Sequence, residues 1–267
     1  MSVKFYQGGS FHSLAGAKVY HNGAWVTLSS SAKIYLNNTW HYLGNASSGV
    51  LIGSGVTSSI LSGEIWDNTT VNSGGRLHVY DSGTAYNATV NAGGGMYVSS
   101  GGTANDTTVN SNGHLYVGSG GTAVSNTVNS SGYIDVLSGG TAVSNTVNRY
   151  GMLHAHGTAI NNTVVSFGRI FVSGGGKAID TTLNSHGKMD VYEGGTATSI
   201  LVFNGGVLGV YGGTAYNATV NSRGWMLVAS TGAANGVTIS SGGSMTIYSG
   251  AVTGNITSHA GAVIINS

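Results

Sequence analysis

Two carboxylates, a pair of histidines and a run of aromatic rings are the residues of this 267-residue chain whose types and spacing could do chemistry. A glycan-cleaving site needs two carboxylates about 5–9.5 Å apart. Asp135 and Asp190 occupy the same register of a repeat described below, but three repeats separate them, about 14 Å at about 4.8 Å per repeat. Asp81 and Glu193 share another register six repeats apart. The eight acids form no cluster, so no catalytic residues are expected and the carboxylates read as solvated surface groups. His154 and His156 alternate on one strand and point the same way, with Asp135 one repeat from His154. Such a set could orient an imidazole or begin a metal site. The sequence supplies no third ligand and no nucleophile, so no metal and no cofactor is expected.

Aromatic side chains recur in two outward registers. One reads His78, Tyr97, Tyr116, Asp135, His154, Phe171, Asp190; the other includes Tyr80, His156, Tyr192, Tyr211 and Tyr248. Amphipathic rings combine flat apolar area with a polar tip. A stripe of Tyr80, Tyr97, Tyr116, His154, Phe171, Tyr192 and Tyr211 is therefore the expected binding surface. It would meet a cell-surface glycan or protein receptor, or a second copy in a homo-oligomer such as a trimer. Tyrosine also suits strands for packing reasons alone, and that reading stays open beside the others.

These residues are positioned by a repeat of about nineteen residues. Thr-Val-Asn opens it at Thr70, Thr89, Thr108, Thr127, Thr146 and Thr219. With the apolar residue of that tripeptide as anchor, the series runs Val71, Val90, Val109, Val128, Val147, Val164, Leu183, Val202, Val220, Ile239 and Ile256. Glycine follows four residues later in ten of the eleven copies, with Gly261 one place late in the last. Apolar pairs such as Leu77/Val79, Leu115/Val117 and Met226/Val228 come six and eight residues after the anchor, the alternation of a strand with one buried face. Gly-Gly-Thr-Ala then places a small inward alanine, as at Ala104, Ala123 and Ala142.

A fixed short period means one unit stacked many times. Each coil reads strand, glycine corner, strand, glycine corner, short strand. The expected fold is all-β: a single-stranded parallel β-helix, a solenoid of about eleven coils over residues 68–267. One coil cannot bury enough apolar surface alone, so the rod forms cooperatively. The shortened copies lose residues only between the long strand and the alanine, where loops belong. Asn72, Asn91, Asn110, Asn129 and Asn148 recur at a corner and are expected to stack as an amide ladder.

The preceding residues differ. Residues 1–45 read as a small β-hairpin module, because Ala17–Trp25 is echoed by Ala32–Trp40 and Asn22-Gly23 is a hairpin signal. Trp25 and Trp40 read as hairpin core. Residues 46–67 read as Gly/Ser-rich lead-in coils.

Composition narrows the function classes. Nine scattered Lys and Arg with net charge +1 make no basic stripe for phosphates, so no nucleic-acid partner is expected. Cysteine is absent, which removes disulfides and thiolate chemistry. Proline is absent while glycine numbers 46, a pairing that suits a backbone laddered on both sides. No stretch is long and apolar enough for a transmembrane helix, and membrane insertion is not expected. Met1 to Leu28 contains no apolar run of signal-peptide length.

The succession Gly-Gly-Thr-Ala, Asn-Thr-Val-Asn, Ser-Gly-Gly and an alternating apolar pair resembles the AIDA-type repeat of self-associating autotransporter adhesins. Ser125–Asn129 and Ser144–Asn148 sit in its clearest copies, and the resemblance covers about Asn68 to Ser267. It implies a right-handed β-helix, a role in bacterial adhesion and aggregation at the cell surface, and repeat Ser and Thr modified by a heptosyltransferase. The segment Lys18–Trp25 is similar to short N-terminal modules of phage tail proteins. Together these give a non-enzymatic adhesive rod displayed on a particle or cell surface. The leading expectation is a tail-fibre-like virion component contacting a host. The alternatives are an AIDA-type adhesin passenger, a glycan-degrading tailspike and a spacer that binds nothing.

Overall fold

The fold is that of a computed structural model, which describes residues 46–267 and four earlier strands, Lys18–His21, Ala24–Thr27, Lys33–Leu36 and Thr39–Tyr42. From residue 46 onward the chain winds into one parallel β-solenoid. Three twelve-stranded sheets run its length, and each coil gives one strand to each. The long face consists of strands of four or five residues, from Thr57–Ile60 to Val263–Asn266. The alanine face has three-residue strands, from Ala46–Ser48 to Val252–Gly254. The valine face has two-residue strands, from Leu51–Ile52 to Thr257–Ser258.

The anchors stack as the period requires: Val71 pairs with Val90, Val90 with Val109, and Val109 with Val128. On the long face the alternation is literal. Leu115 and Val117 are buried while His114 and Tyr116 are half-exposed. The anchor, the long-face pair and the alanine line one continuous core. The glycine four residues after each of the ten anchors from Val71 to Ile239 is demanded by the approach of neighbouring coils. A Cβ on Gly94 would lie 2.6 Å from the Val71 carbonyl oxygen, and one on Gly132 would lie 2.6 Å from that of Val109.

The structure departs from the sequence reading at both ends of the solenoid. It has twelve coils, because residues 46–67 already follow the three-sheet path. Ile52 pairs with Val71 and Ile60 with Val79, and both isoleucines are fully buried. In the last coil Ser258, not Ile256, stands over Ile239. Thr257 stacking on Thr238 holds that register, and the hydrophobic column closes on a serine. The shortened copies behave as expected. The strand Met152–Ala155 passes almost directly to Thr158–Ile160, and Val207–Tyr211 to Thr214–Tyr216.

Each early strand pair forms its own antiparallel two-stranded sheet, with His21 opposite Ala24 and Leu36 opposite Thr39. The connecting residues and the Trp25 and Trp40 side chains lie outside the described residues.

Two amide ladders fasten coil to coil. The corner ladder expected from sequence is present: Asn91 donates to Asn72 (2.9 Å), Asn110 to Asn91 (3.0 Å), Asn129 to Asn110 (3.0 Å) and Asn148 to Asn129 (3.3 Å). It stops there because Val165 takes the next place. A second ladder, not foreseen, lies inside the core. Asn126 and Asn145 are completely buried and Asn162 nearly so. The Asn145 Oδ1 accepts both the side-chain amide and the backbone N–H of Asn126 at 2.9 Å. Asn162 does the same for Asn145 at 3.0 and 2.9 Å. Each asparagine follows a left-handed corner residue, Ser125, Ser144 or Asn161. Buried amides persist when their hydrogen bonds are made.

Candidate binding face

Six residues of the expected stripe lie in long-face strands and Tyr80 directly follows one, and the structure joins all seven into one line of ring contacts across eight coils. Tyr80 meets His78 (ring centroids 5.8 Å), His78 meets Tyr97 (4.9 Å), and Tyr97 meets Tyr116 (4.9 Å), with planes within 14° of parallel. The line then shifts two residues back along the strand. Tyr116 meets His114 (5.6 Å), and His114 meets Tyr133 (4.8 Å). It returns edge-on through His154 (6.3 Å from Tyr133) to Phe171 (5.2 Å from His154). It finishes through Tyr192 (6.5 Å) to Tyr211 (5.8 Å). Sequence reasoning missed His114 and Tyr133, although the register five residues past the anchor carries them.

Inter-coil spacing sets the character of this line. Rings held about 4.8 Å apart by the ladder stack with an offset, which the ring quadrupole favours over a direct sandwich. Their faces are partly taken by one another, so the surface offers edges, hydroxyls and imidazole nitrogens. Tyr80 and Tyr192 are exposed and the other five stripe residues half-buried. Two glycines let rings lie down on the sheet. A Cβ on Gly95 would come within 3.0 Å of the Tyr97 ring, and Gly209 lies under the Tyr211 ring in the same way. Gly74, Gly75, Gly93, Gly94 and Gly95 floor a shallow hollow beside Arg76, Tyr97, His114 and Tyr116.

Charge is concentrated where the line turns edge-on. His154 Nδ1 lies 2.8 Å from Asp135 Oδ1, so this carboxylate orients the imidazole. His156 takes no part and sits at the corner, with its Nδ1 3.4 Å from Ser173 Oγ. Burial pushes the Tyr116 phenol above its ordinary value, with the Asp135 carboxylate and Tyr97 adding to the shift. Asp190 corrects the expectation of a solvated acid, for it is 1% exposed. Arg169 reaches one of its oxygens at 3.0 Å and Lys188 the other at 3.0 Å. Arg169 also lies over Phe171, 4.7 Å from the ring centre. The Gly209 position above leaves room for this arrangement. A second line of rings, Tyr150, Phe167 and His186, stands on the corner beside the long face; sequence reasoning did not pick it out.

Similarity to known proteins falls on the solenoid. The AIDA family model, described as "Adhesin of bacterial autotransporter system, probable stalk", matches residues 54–113, 81–132 and 193–243. Among solved structures, the chain is similar to the crystal structure of a TibC-catalysed hyper-glycosylated TibA55-350 fragment. The identity is 33% and the TM-score 0.78, over 84% of this chain and 89% of that one. No curated protein sequence matches it.

Proposed function

The chain belongs to the AIDA-type family of bacterial autotransporter adhesin stalks, and from that premise we propose that it is a non-enzymatic adhesive rod displayed at a bacterial cell surface. The observation that carries this reading is the unbroken aromatic line on one face of a solenoid with the sequence and fold of an adhesin stalk. The line offers hydroxyls and ring edges to a receptor or to a second rod, and exposed amphipathic aromatics are characteristic of contact surfaces. The carboxylates support the non-enzymatic part. Asp135 is paired with His154, and Asp190 is buried between two cations, so neither stands ready as a general base.

The leading expectation of a virion tail fibre gives way here. It drew on the N-terminal segment, whereas the family model matches within the solenoid and the structural match is to an adhesin fragment, and both favour the adhesin alternative. The matched TibA fragment is described as hyper-glycosylated by TibC. By extension, exposed corner serines of this chain, such as Ser73, Ser100, Ser119 and Ser138, are acceptors for a heptosyltransferase.

The deciding experiment displays the chain on non-aggregating cells and scores settling and attachment to host cells. Cells carrying it should aggregate or attach. A variant with Tyr80, Tyr97, Tyr192 and Tyr211 changed to serine should do so several-fold less while keeping its sheet spectrum. Behaviour identical to that of bare cells would end the reading.

A further inference from the structure

The corner leading into the long face carries the second line of rings, and its backbone is unusual. The corner is a four-residue turn closed by a backbone hydrogen bond: Gly151 to Asn148 (2.8 Å), Gly168 to Val165 (2.8 Å), Gly187 to Asn184 (2.9 Å). The third residue of this turn has positive φ in every coil. It is Gly74, Gly93, Asn112 and Ser131 in earlier coils and Gly205, Arg223 and Gly242 in later ones. Between them it is Tyr150 (φ 55), Phe167 (φ 67) and His186 (φ 67). Ser166 (φ 51) and Ser185 (φ 48) are left-handed too, so two of these turns place Ser-Phe and Ser-His where type I′ geometry favours Gly, Asn or Asp.

Bulky L-residues are strained in this region, and the coils directly before and after form the same turn on Ser131 and Gly205, although Arg223 also takes it one coil further on. Burial does not compensate, since Tyr150 and Phe167 are each 50% exposed and His186 is exposed as well. The rings stack only on one another, Tyr150 on Phe167 at 6.1 Å and Phe167 on His186 at 4.9 Å. The line stops where His186 lies against the bare Gly205. Strain held at an exposed site is a mark of function.

Positive charge flanks the same three coils. Two residues beyond each ring the long face turns Met152, Arg169 and Lys188 outward, adjacent in register. Arg169 and Lys188 share the single buried carboxylate of Asp190, and Arg169 Nε has no hydrogen-bond partner. Arg149, exposed, lies 5.1 Å from the centre of the Tyr150 ring. Two cations thus share one acid and a third stands at the end of the strip of exposed rings.

We propose that Tyr150, Phe167 and His186, with Arg149, Arg169 and Lys188, form a binding site for an acidic saccharide. Sugar rings would lie along the aromatic strip, and their carboxylates would meet the cations. Ring faces offer flat apolar area to the sugar, and guanidinium groups match carboxylate geometry. The site rests on the surface-rod reading only for where such a ligand would be met.

The test titrates the purified full chain with oligogalacturonate, using a neutral maltooligosaccharide as control, by calorimetry. The acidic probe should bind saturably and more weakly as salt rises; the neutral one should not bind. Asparagine suits this turn at Asn112, so Phe167→Asn and His186→Asn should fold with an unfolding midpoint at least as high as wild type. Loss of a stacking ring should weaken binding by about tenfold or more. Arg149→Gln, which leaves the Asp190 cluster intact, should weaken binding and flatten its salt dependence. Absence of saturable binding, equal binding of the neutral sugar, or binding unchanged in all three variants would overturn the proposal. Sedimentation showing that Phe167→Asn disperses wild-type oligomers, when the wild type binds no oligogalacturonate, would make the corner a copy-to-copy contact and equally overturn it. Saccharide binding without adhesion by displaying cells would leave this site standing and remove the surface-rod reading. Adhesion without saccharide binding would do the reverse.

Discussion

The coils turning at Gly74, Gly93, Asn112 and Ser131 and those turning at Tyr150, Phe167 and His186 share one backbone path and differ in what stands on it. In the first group, corner residues suit positive φ, the corner amide ladder is continuous, and the long-face rings lie nearly parallel. In the second, the corners are bulky, the ladder has ended at Asn148, and the ring line passes edge-on through His154 beside its contact with Asp135 and the Arg169–Asp190 ion pair. The repeat secures the scaffold by being uniform, and surface chemistry accumulates where uniformity lapses. A solenoid tolerates this because each coil's core is completed by its neighbours, whatever its outward positions carry.

The sharpest challenge to that comparison lies in the polar ladders. The buried one bridges the two groups, so breaking it should cost far more than breaking the half-buried corner one. Asn145→Ala removes the acceptor of the amide and backbone N–H of Asn126 and the side-chain donor to Asn162, whose bond from the backbone N–H of residue 145 remains. Denaturant unfolding should show a loss of about 3 kcal/mol. Asn110→Ala, in the corner ladder, should lose about 1 kcal/mol. Equal losses would mean that burial does not separate the ladders.

A smaller effect comes from exchanging the corners. Asn112→Phe puts a ring on an early turn and should cost about 1 kcal/mol, while Phe167→Asn should return a similar amount. If both changes destabilise, ring stacking outweighs backbone strain and the contrast between the two groups is one of packing.

The smallest concerns the long-face rings. The Tyr116 phenol titrates above its ordinary value in the folded chain, so the unfolded chain releases this proton first as pH rises. The stability linked to it is intact below a pH of about 10 and is lost as pH climbs through the raised folded value. Unfolding midpoints measured from about pH 8 to 12 should therefore fall less steeply for Tyr116→Phe than for wild type. Identical slopes would place the phenol in open solvent.

Much of this was legible in the residues. The anchor column, the long-face pairs, the glycine corners and the corner asparagines all follow from spacing alone, and the outward registers of the aromatic stripe were correct. Three features were not legible. Residues 46–67 looked irregular because serine and glycine dominate their outward positions, which hid Ile52 and Ile60 as core. Asn126, Asn145 and Asn162 stand two places before their anchors, a spacing that predicts an inward side chain, yet amides at such positions are ordinarily read as surface. The Tyr150 corner was overlooked because a ring beside a recurring turn glycine resembles ordinary loop variation until φ is known.

What the sequence determined by itself is periodic: which side chains enter the core, where coils must approach too closely for a Cβ, and hence that the chain is a rod with three long sheets. Period two and period nineteen are properties of the chain's covalent order, and hydrophobic burial reads them directly. Only the tertiary structure decided the lateral relations. The burial of Asp190 under Arg169, the shift of the ring line through His114 and Tyr133, and the strained corner all arise between coils. There a side chain's direction depends on what the neighbours nineteen residues before and after it leave empty, as Gly209 does for Asp190 and Gly205 for His186.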